Sequence, residues 1–268
     1  MPLLHIVVLA LVQGITEFLP VSSASHLVAL RIFTDWPDQG LALDVAAHFG
    51  ALLAVLAYFW RDVGFMLGGL WRTARGKKGP GANLAFQIVV GSLPAILAGF
   101  LVAAYAGEGL RSLDVIAWAT LGFGLLLWLT DRTGMTIRRI EHSTYFDALV
   151  IGLAQALALI PGASRTGVTM TAARLLGYER GEAARFSMLL GIPAITAFLT
   201  FSLVEMSKAE EAFQITSALF MVSGIAFFSA LTVIAVMLAW LKRRTFTPFA
   251  LYRVVLGLGL LAFAYGVL

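Results

Sequence analysis

Cysteine is absent from this chain, which excludes disulfides, thiolate metal sites and cysteine nucleophiles together. Charge is scarce as well: 13% of the 268 residues are Asp, Glu, Lys or Arg, against about 25% in ordinary soluble domains. A chain that is 60% hydrophobic and so thinly charged cannot cover itself with a wetted surface. No basic run is interleaved with stacking aromatics, so the net charge of +4 carries no nucleic-acid reading. The apolar N-terminal stretch lacks a basic start and a small-residue cleavage site and contains Glu17, so no removable signal peptide is expected. Long apolar runs, by contrast, are plentiful. Stretches of about 18 to 25 residues, the length that crosses a hydrocarbon core of about 30 Å, fall at 41–60, 84–105, 113–130, 183–203, 214–240 and 248–268. The chain therefore reads as an all-α integral membrane protein with six transmembrane helices.

The connections sort by charge. Residues 61–83 read as a loop holding Arg61, Arg72, Arg75, Lys77 and Lys78, with a flexible Gly76–Gly81 stretch. Arg132, Arg138 and Arg139 follow the third span, and Lys242-Arg243-Arg244 follows the fifth. The positive-inside rule makes these three connections cytoplasmic. The alternate ones carry Asp35 and Asp38, then Glu108, then Glu205, Glu210 and Glu211, and belong outside. Arg174, Arg185 and Arg253 read most simply as further positive-inside anchors.

Two regions remain, about 2–33 and 147–178, each two short helical halves broken at a proline, Pro20 or Pro161. Sidedness closes without contradiction if each dips in and returns, the first from outside and the second from the cytoplasm. The expected architecture is a single membrane domain over 1–268, six spans plus two re-entrant helical hairpins. It divides into repeat one at 2–130 and repeat two at 147–268, in inverted topology. Setting Pro20 on Pro161 places Ser23 on Ser164, and both preceding segments bear a glutamine, Gln13 and Gln155. Interrupted apolar segments at matching places in two halves point to a midplane site where their tips meet.

The breaks concentrate polar chemistry. The first reads Gln13-Gly-Ile-Thr-Glu17-Phe-Leu-Pro20-Val-Ser22-Ser23-Ala-Ser-His26, the second Pro161-Gly162-Ala-Ser164-Arg165-Thr166-Gly167-Val-Thr169. Ionisable groups are costly at membrane depth, so such clusters mark function. Ser23 and His26 are three apart, so a helix puts them on one face with the imidazole in reach of the hydroxyl; histidine suits proton transfer and serine needs such a partner to become a nucleophile. The alternative is that Ser22 and Ser23 cap the second half-helix. Glu17 is a candidate cation ligand, a proton carrier, or the partner of Arg165. Gln13, one turn earlier on the same face, offers a neutral oxygen. Arg165 is a fork suited to phosphate. Gly162 and Gly167 allow close backbone approach, while Ser22, Ser164, Thr166 and Thr169 add hydroxyl donors around it. Asp44 and His48, one turn apart, border the same region or simply end a solvated helix.

At Gln13-x-x-x-Glu17-Phe-Leu-Pro-Val-Ser-Ser-x-x-His26, Pro161-Gly-x-Ser-Arg165-x-Gly and Tyr252-Arg253-x-x-Leu-Gly, the chain resembles the bacterial undecaprenyl-pyrophosphate phosphatase family, the bacitracin-resistance membrane phosphatases. The resemblance covers essentially the whole length. It implies removal of the terminal phosphate of undecaprenyl pyrophosphate to give the monophosphate carrier lipid. It also implies an inner-membrane enzyme, a homodimer, helped by Mg²⁺ or Ca²⁺; the charge rule places the first hairpin's entrance outside, so the site is expected to open to the periplasmic side. Carried onto this sequence, the acidic motif falls on Gln13 and Glu17, the catalytic serine on Ser23, the histidine on His26 and the essential arginine on Arg165. The family admits Glu or Gln at the position of Gln13, so the weight of a cation site shifts to Glu17. Ala24-Ser25 stands where many relatives have Thr-Gly. The residues leave Ser23, His26 and water open as nucleophile. The competing reading is a polyprenyl-phosphate flippase or transporter, since inverted repeats with broken helices also build transporters.

Overall fold

Long apolar runs fold as helices because a helix satisfies its own backbone where no water can. The structure, a computed structural model, describes residues 3–34, 36, 40–77, 79–105, 112–208 and 217–267. Asp35, Asp38, Glu108, Glu210, Glu211 and Lys78, used above to assign sidedness, lie outside the described residues. The helices are α1 (Leu3–Phe18), α2 (Ser23–Thr34), α3 (Leu41–Tyr58), α4 (Trp60–Ala74), α5 (Pro80–Tyr105), α6 (Leu113–Thr133), α7 (Tyr145–Ala156), α8 (Arg165–Leu175), α9 (Arg180–Lys208), α10 (Ser217–Leu241) and α11 (Thr247–Ala264). Among the described residues six are long and apolar enough to cross a membrane: α3, α5, α6, α9, α10 and α11. These are the six spans expected from run length.

The expected 61–83 loop is not a loop. Most of it is α4, whose apolar and charged residues segregate to opposite faces. Met66 and Gly69 are buried, while Arg61 lies 5.2 Å over the Trp60 ring and Arg75 4.5 Å over that of Trp71. Charges that suggested a loop are the polar side of an amphipathic helix.

Both proline regions are broken helices. The 16 residues of α1 rise about 24 Å, short of a crossing, and α2, α7 and α8 are shorter still. The breaks share one unusual feature. Among the described residues only Ser22 (φ 74°) and Ser164 (φ 70°) have positive φ without being glycine, which costs about 1–3 kcal/mol each and tends to collect at functional sites. Each serine caps the helix that follows it: Ser22 Oγ accepts from Ser25 N at 3.4 Å, and Ser164 Oγ accepts from Gly167 N at 3.2 Å. Backbone conformation therefore sets Ser22, not Ser23, opposite Ser164, one residue off the register taken from the prolines.

The packing has a matching pattern in the two halves. Helix α1 lies on α10, and α7 lies on α5; α3 packs on α10, α6 on α11, and α9 on both α3 and α5. Close approach is made possible by glycine: a Cβ on Gly14 would run into Ala226 and Ser229 of α10, and one on Gly152 into the backbone of Gly91 in α5. Pro94 and Pro193 lie inside α5 and α9. Each removes one helical hydrogen bond just before the small residues that leave a space between these helices.

Candidate functional site

That space is a cavity of about 390 Å³. Ala95, Gly99, Ala194 and Ala197 give it room, Phe198 and other apolar side chains wall it, and four polar residues face it: Glu17, His48, Gln155 and Arg165. Glu17 is the penultimate residue of α1 and Arg165 the first of α8, so the two broken helices deliver opposite charges to one place. Arg165 Nη2 donates to Glu17 Oε1 at 3.2 Å, and its Nη1 donates to the Ser187 carbonyl at 3.3 Å. The guanidinium passes 5.8 Å over the Phe18 ring. It fits only because residue 191 is glycine, since a Cβ there would overlap it.

Gln13 Nε2 donates to Glu17 Oε2 at 3.1 Å and lies 3.1 Å from His48 Nε2. His48 Nδ1 sits 2.8 Å from the Asp44 carbonyl. A carbonyl only accepts, so Nδ1 carries a proton, and in the neutral ring Nε2 is left to accept from Gln13. The same Nε2 is 3.7 Å from Glu17 Oε2. His48, which the sequence left between bordering the site and ending a solvated helix, lines the cavity.

The two tips meet. Thr166 Oγ1 donates to the Leu19 carbonyl at 2.9 Å, joining the second break to the first. Arg253, fully buried, spans both: it donates to the carbonyls of Gly162 at 2.8 Å, Ala163 at 3.0 Å, Thr120 at 3.2 Å and Pro20 at 3.5 Å. This corrects its reading as a positive-inside anchor. Arg174, read the same way, is also buried and donates to Asp131 Oδ1 at 3.2 Å, an acid shared with Arg180 at 2.7 Å. Arg185 pairs with Asp62 and Glu182.

The expected Ser23–His26 pair does not form. His26 Nδ1 donates to the Ser22 carbonyl at 2.6 Å, and Nε2 lies 2.7 Å from the Tyr252 hydroxyl, with the two rings stacked. The ring turns along its own helix turn toward α11, so its nitrogens are taken, and neither His26 nor Ser23 is among the residues that line the cavity. Ser23 makes no side-chain hydrogen bond among the described residues. The hydroxyls expected around a phosphate are committed: Ser22 Oγ to Ser25 Oγ at 2.9 Å, Ser164 Oγ to Thr166 Oγ1 at 3.2 Å, and Thr169 Oγ1 to the Arg165 carbonyl at 2.8 Å and Ser187 Oγ at 2.6 Å. Gly162 has φ 96°, a left-handed conformation, and a Cβ would strike the Ile116 carbonyl. The space beside Gly167 is filled by Arg253, not by an approaching ligand.

Two strained serine caps, a carboxylate and an arginine joined across the breaks, and an apolar cavity around them match the two motifs on which the resemblance rests. The sequence pattern of the family described as Bacitracin resistance protein BacA matches residues 6–259. The chain belongs to that family. It is 54% identical to "Undecaprenyl-diphosphatase 1" of Rhodospirillum rubrum over 99% of this chain and 96% of that one. Identity is 47% to "Undecaprenyl-diphosphatase" of Roseobacter denitrificans, covering 99% and 100% of the two chains, and 46% with the same coverage to that of Ruegeria pomeroyi.

The family resemblance brings with it a divalent cation, which the donor set tests. Among the described residues no group of three or more His, Cys, Asp and Glu stands close enough to hold a metal ion. The cavity offers one carboxylate, Glu17, and the amide of Gln155, with the Gln13 amide bonded to Glu17 behind them. These are hard oxygen donors. They fit a cation bound jointly with phosphate oxygens rather than in an all-protein cage.

Proposed function

We propose that this protein hydrolyses the terminal phosphate of undecaprenyl pyrophosphate, releasing undecaprenyl phosphate and inorganic phosphate for carrier-lipid recycling in envelope synthesis. The observation that carries the reading is the Glu17–Arg165 pair across the two breaks, in a cavity that adjoins an apolar groove. The groove, about 650 Å³ between α4, α5 and α9, shares Ile96, Phe100, Ala197 and Phe201 with the cavity. A charged headgroup belongs beside Arg165 and a polyprenyl tail in the groove. The names of the relatives describe the same reaction.

In this reading Arg165 binds the phosphates through its fork and neutralises the charge that develops as the bridging P–O bond breaks. Glu17 and Gln13 would hold Mg²⁺ or Ca²⁺, which supplies charge neutralisation when bound. Ser23 serves as the nucleophile once the first break brings its hydroxyl, which does not line the cavity as it stands, to the phosphate held beside Arg165. The serine oxygen bonds to the terminal phosphorus while undecaprenyl phosphate leaves, and water then cleaves the seryl phosphate. The serine proton passes to His26 once that ring exchanges its present bond to the Tyr252 hydroxyl for Ser23. The breaks belong to re-entrant hairpins of an inverted repeat. The reciprocal packing of α1 on α10 and α7 on α5 supports that arrangement. On the same reading the enzyme works as a homodimer in the bacterial inner membrane, opening to the periplasm.

The test is phosphate release by the purified protein in detergent. Turnover of undecaprenyl pyrophosphate there supports hydrolysis, because transport needs compartments; no release contradicts it.

A further inference from the structure

Gln155 is the penultimate residue of α7, the place that Glu17 occupies in α1. Each half of the protein thus ends its first broken helix with a polar side chain facing the cavity, an acid from one and an amide from the other. Gln155 is 2% exposed, and neither Nε2 nor Oε1 has a hydrogen-bond partner. The cavity it lines is walled by apolar residues such as Ala158, Leu159, Ile195 and Phe198, and the polar liners Glu17, His48 and Arg165 make their bonds to other groups. Native proteins seldom leave both ends of a buried amide unpaired. A leucine of similar volume would suit those neighbours better. No protein group completes the amide, so its partner is a water or a bound ligand.

Resting on the proposed function, we infer that Gln155 is a headgroup-binding residue. Its Nε2 donates to a non-bridging phosphate oxygen of the lipid pyrophosphate, while its Oε1 accepts from a protonated phosphate oxygen or from a water held against it. A neutral amide suits this position. Arg165 already supplies positive charge and Glu17 already opposes it, so a second charged side chain would upset the balance that admits an anion. The amide adds direction without adding charge.

The inference separates stability from function. The full-length protein in detergent is compared with Gln155→Leu and Gln155→Glu by thermal unfolding, by the stabilisation that inorganic pyrophosphate confers, and by kcat and KM for undecaprenyl pyrophosphate. Gln155→Leu is expected to unfold at or above the wild-type temperature without ligand. It should lose the pyrophosphate-induced shift, and its kcat/KM should fall about 30-fold, the loss expected for one hydrogen bond to a charged group. Gln155→Glu keeps the shape, loses the donor and adds a like charge, and is expected to bind pyrophosphate more weakly still. A kcat/KM for Gln155→Leu within about twofold of wild type overturns the inference, as does an undiminished pyrophosphate shift. A large fall in unfolding temperature with unchanged activity per folded molecule also overturns it, since that marks a structural amide. Arg165→Ala measured alongside separates the two levels. If Arg165→Ala turns over normally, the reading of the cavity fails. If it is inactive while Gln155→Leu is unimpaired, only the role of Gln155 fails.

Discussion

Arg165 and Glu17 stand 148 residues apart in sequence and 3.2 Å apart in space, each at the broken end of a short helix. Their side chains are 14% and 9% exposed. A fully buried pair loses about 3–5 kcal/mol when one partner is removed, and the cavity's partial access lowers that. Glu17→Gln keeps the shape and leaves the arginine's charge unopposed. It is expected to destabilise the protein by about 2 kcal/mol and to reduce phosphate release about a hundredfold. Thermal unfolding and turnover in detergent check both.

Gly191→Ala puts a methyl group where the Arg165 guanidinium lies. The guanidinium must swing away while α9 stays helical. Turnover is expected to fall about a hundredfold, the usual loss when a positioning group is misplaced by about 1 Å. Displacing the guanidinium also loosens its pair with Glu17, so the unfolding temperature is expected to fall as for Glu17→Gln; wild-type activity and stability would show that the arginine needs no such room.

Arg253→Met leaves the buried carbonyls of Pro20, Thr120, Gly162 and Ala163 without their shared donor. Each unsatisfied buried group costs about 1–3 kcal/mol. Relaxation offsets part of that, so a loss of about 3 kcal/mol is expected. Protease cleavage within either break should rise with it.

Asp147 caps α7 and receives both Arg138 nitrogens, Nη2 at 2.6 Å and Nη1 at 3.0 Å. Burial alone would raise its pKa, but the Arg138 and Thr144 hydrogen bonds prevail and hold it below the ordinary aspartate value. A carboxyl with a depressed folded-state pKa stabilises fully above its unfolded value, and that stability is lost as pH falls through the folded one. Asp147→Asn is therefore expected to unfold at lower temperature than wild type at pH 7. The gap should narrow below about pH 4, as measured by thermal unfolding across pH.

Trapping the reaction with labelled terminal phosphate tests Ser23. The label is expected on Ser23 and absent from Ser23→Ala. Label on His26, or on neither residue, assigns the attack to histidine or to water.

Much of this was legible because its causes are local. Six spans follow from run length, and the breaks at Pro20 and Pro161 from proline. The convergence of Glu17 and Arg165 followed from the expense of charge at depth. What was missed depends on partners distant in sequence. Counting charges near span ends cannot separate a solvated arginine from Arg253 or Arg174, which bind carbonyls and Asp131 inside the protein. A signal existed: Arg253 lies within the apolar run at 248–268, not beside it. Charge also disguised α4, whose polar face hid a helical period. Proline matching pairs Ser23 with Ser164, whereas the shared positive φ, which sequence does not display, falls on Ser22 and Ser164. His26 shares the expected face with Ser23, but Tyr252 on α11 decides where the ring points.

The central claim is that the pyrophosphate is cleaved beside Arg165. The most direct measurement is inorganic phosphate released from undecaprenyl pyrophosphate in detergent, by wild type and by Arg165→Ala at equal concentrations of folded protein. The account predicts steady turnover by wild type and a fall of about a thousandfold in the variant. Equal rates for the two proteins would contradict it.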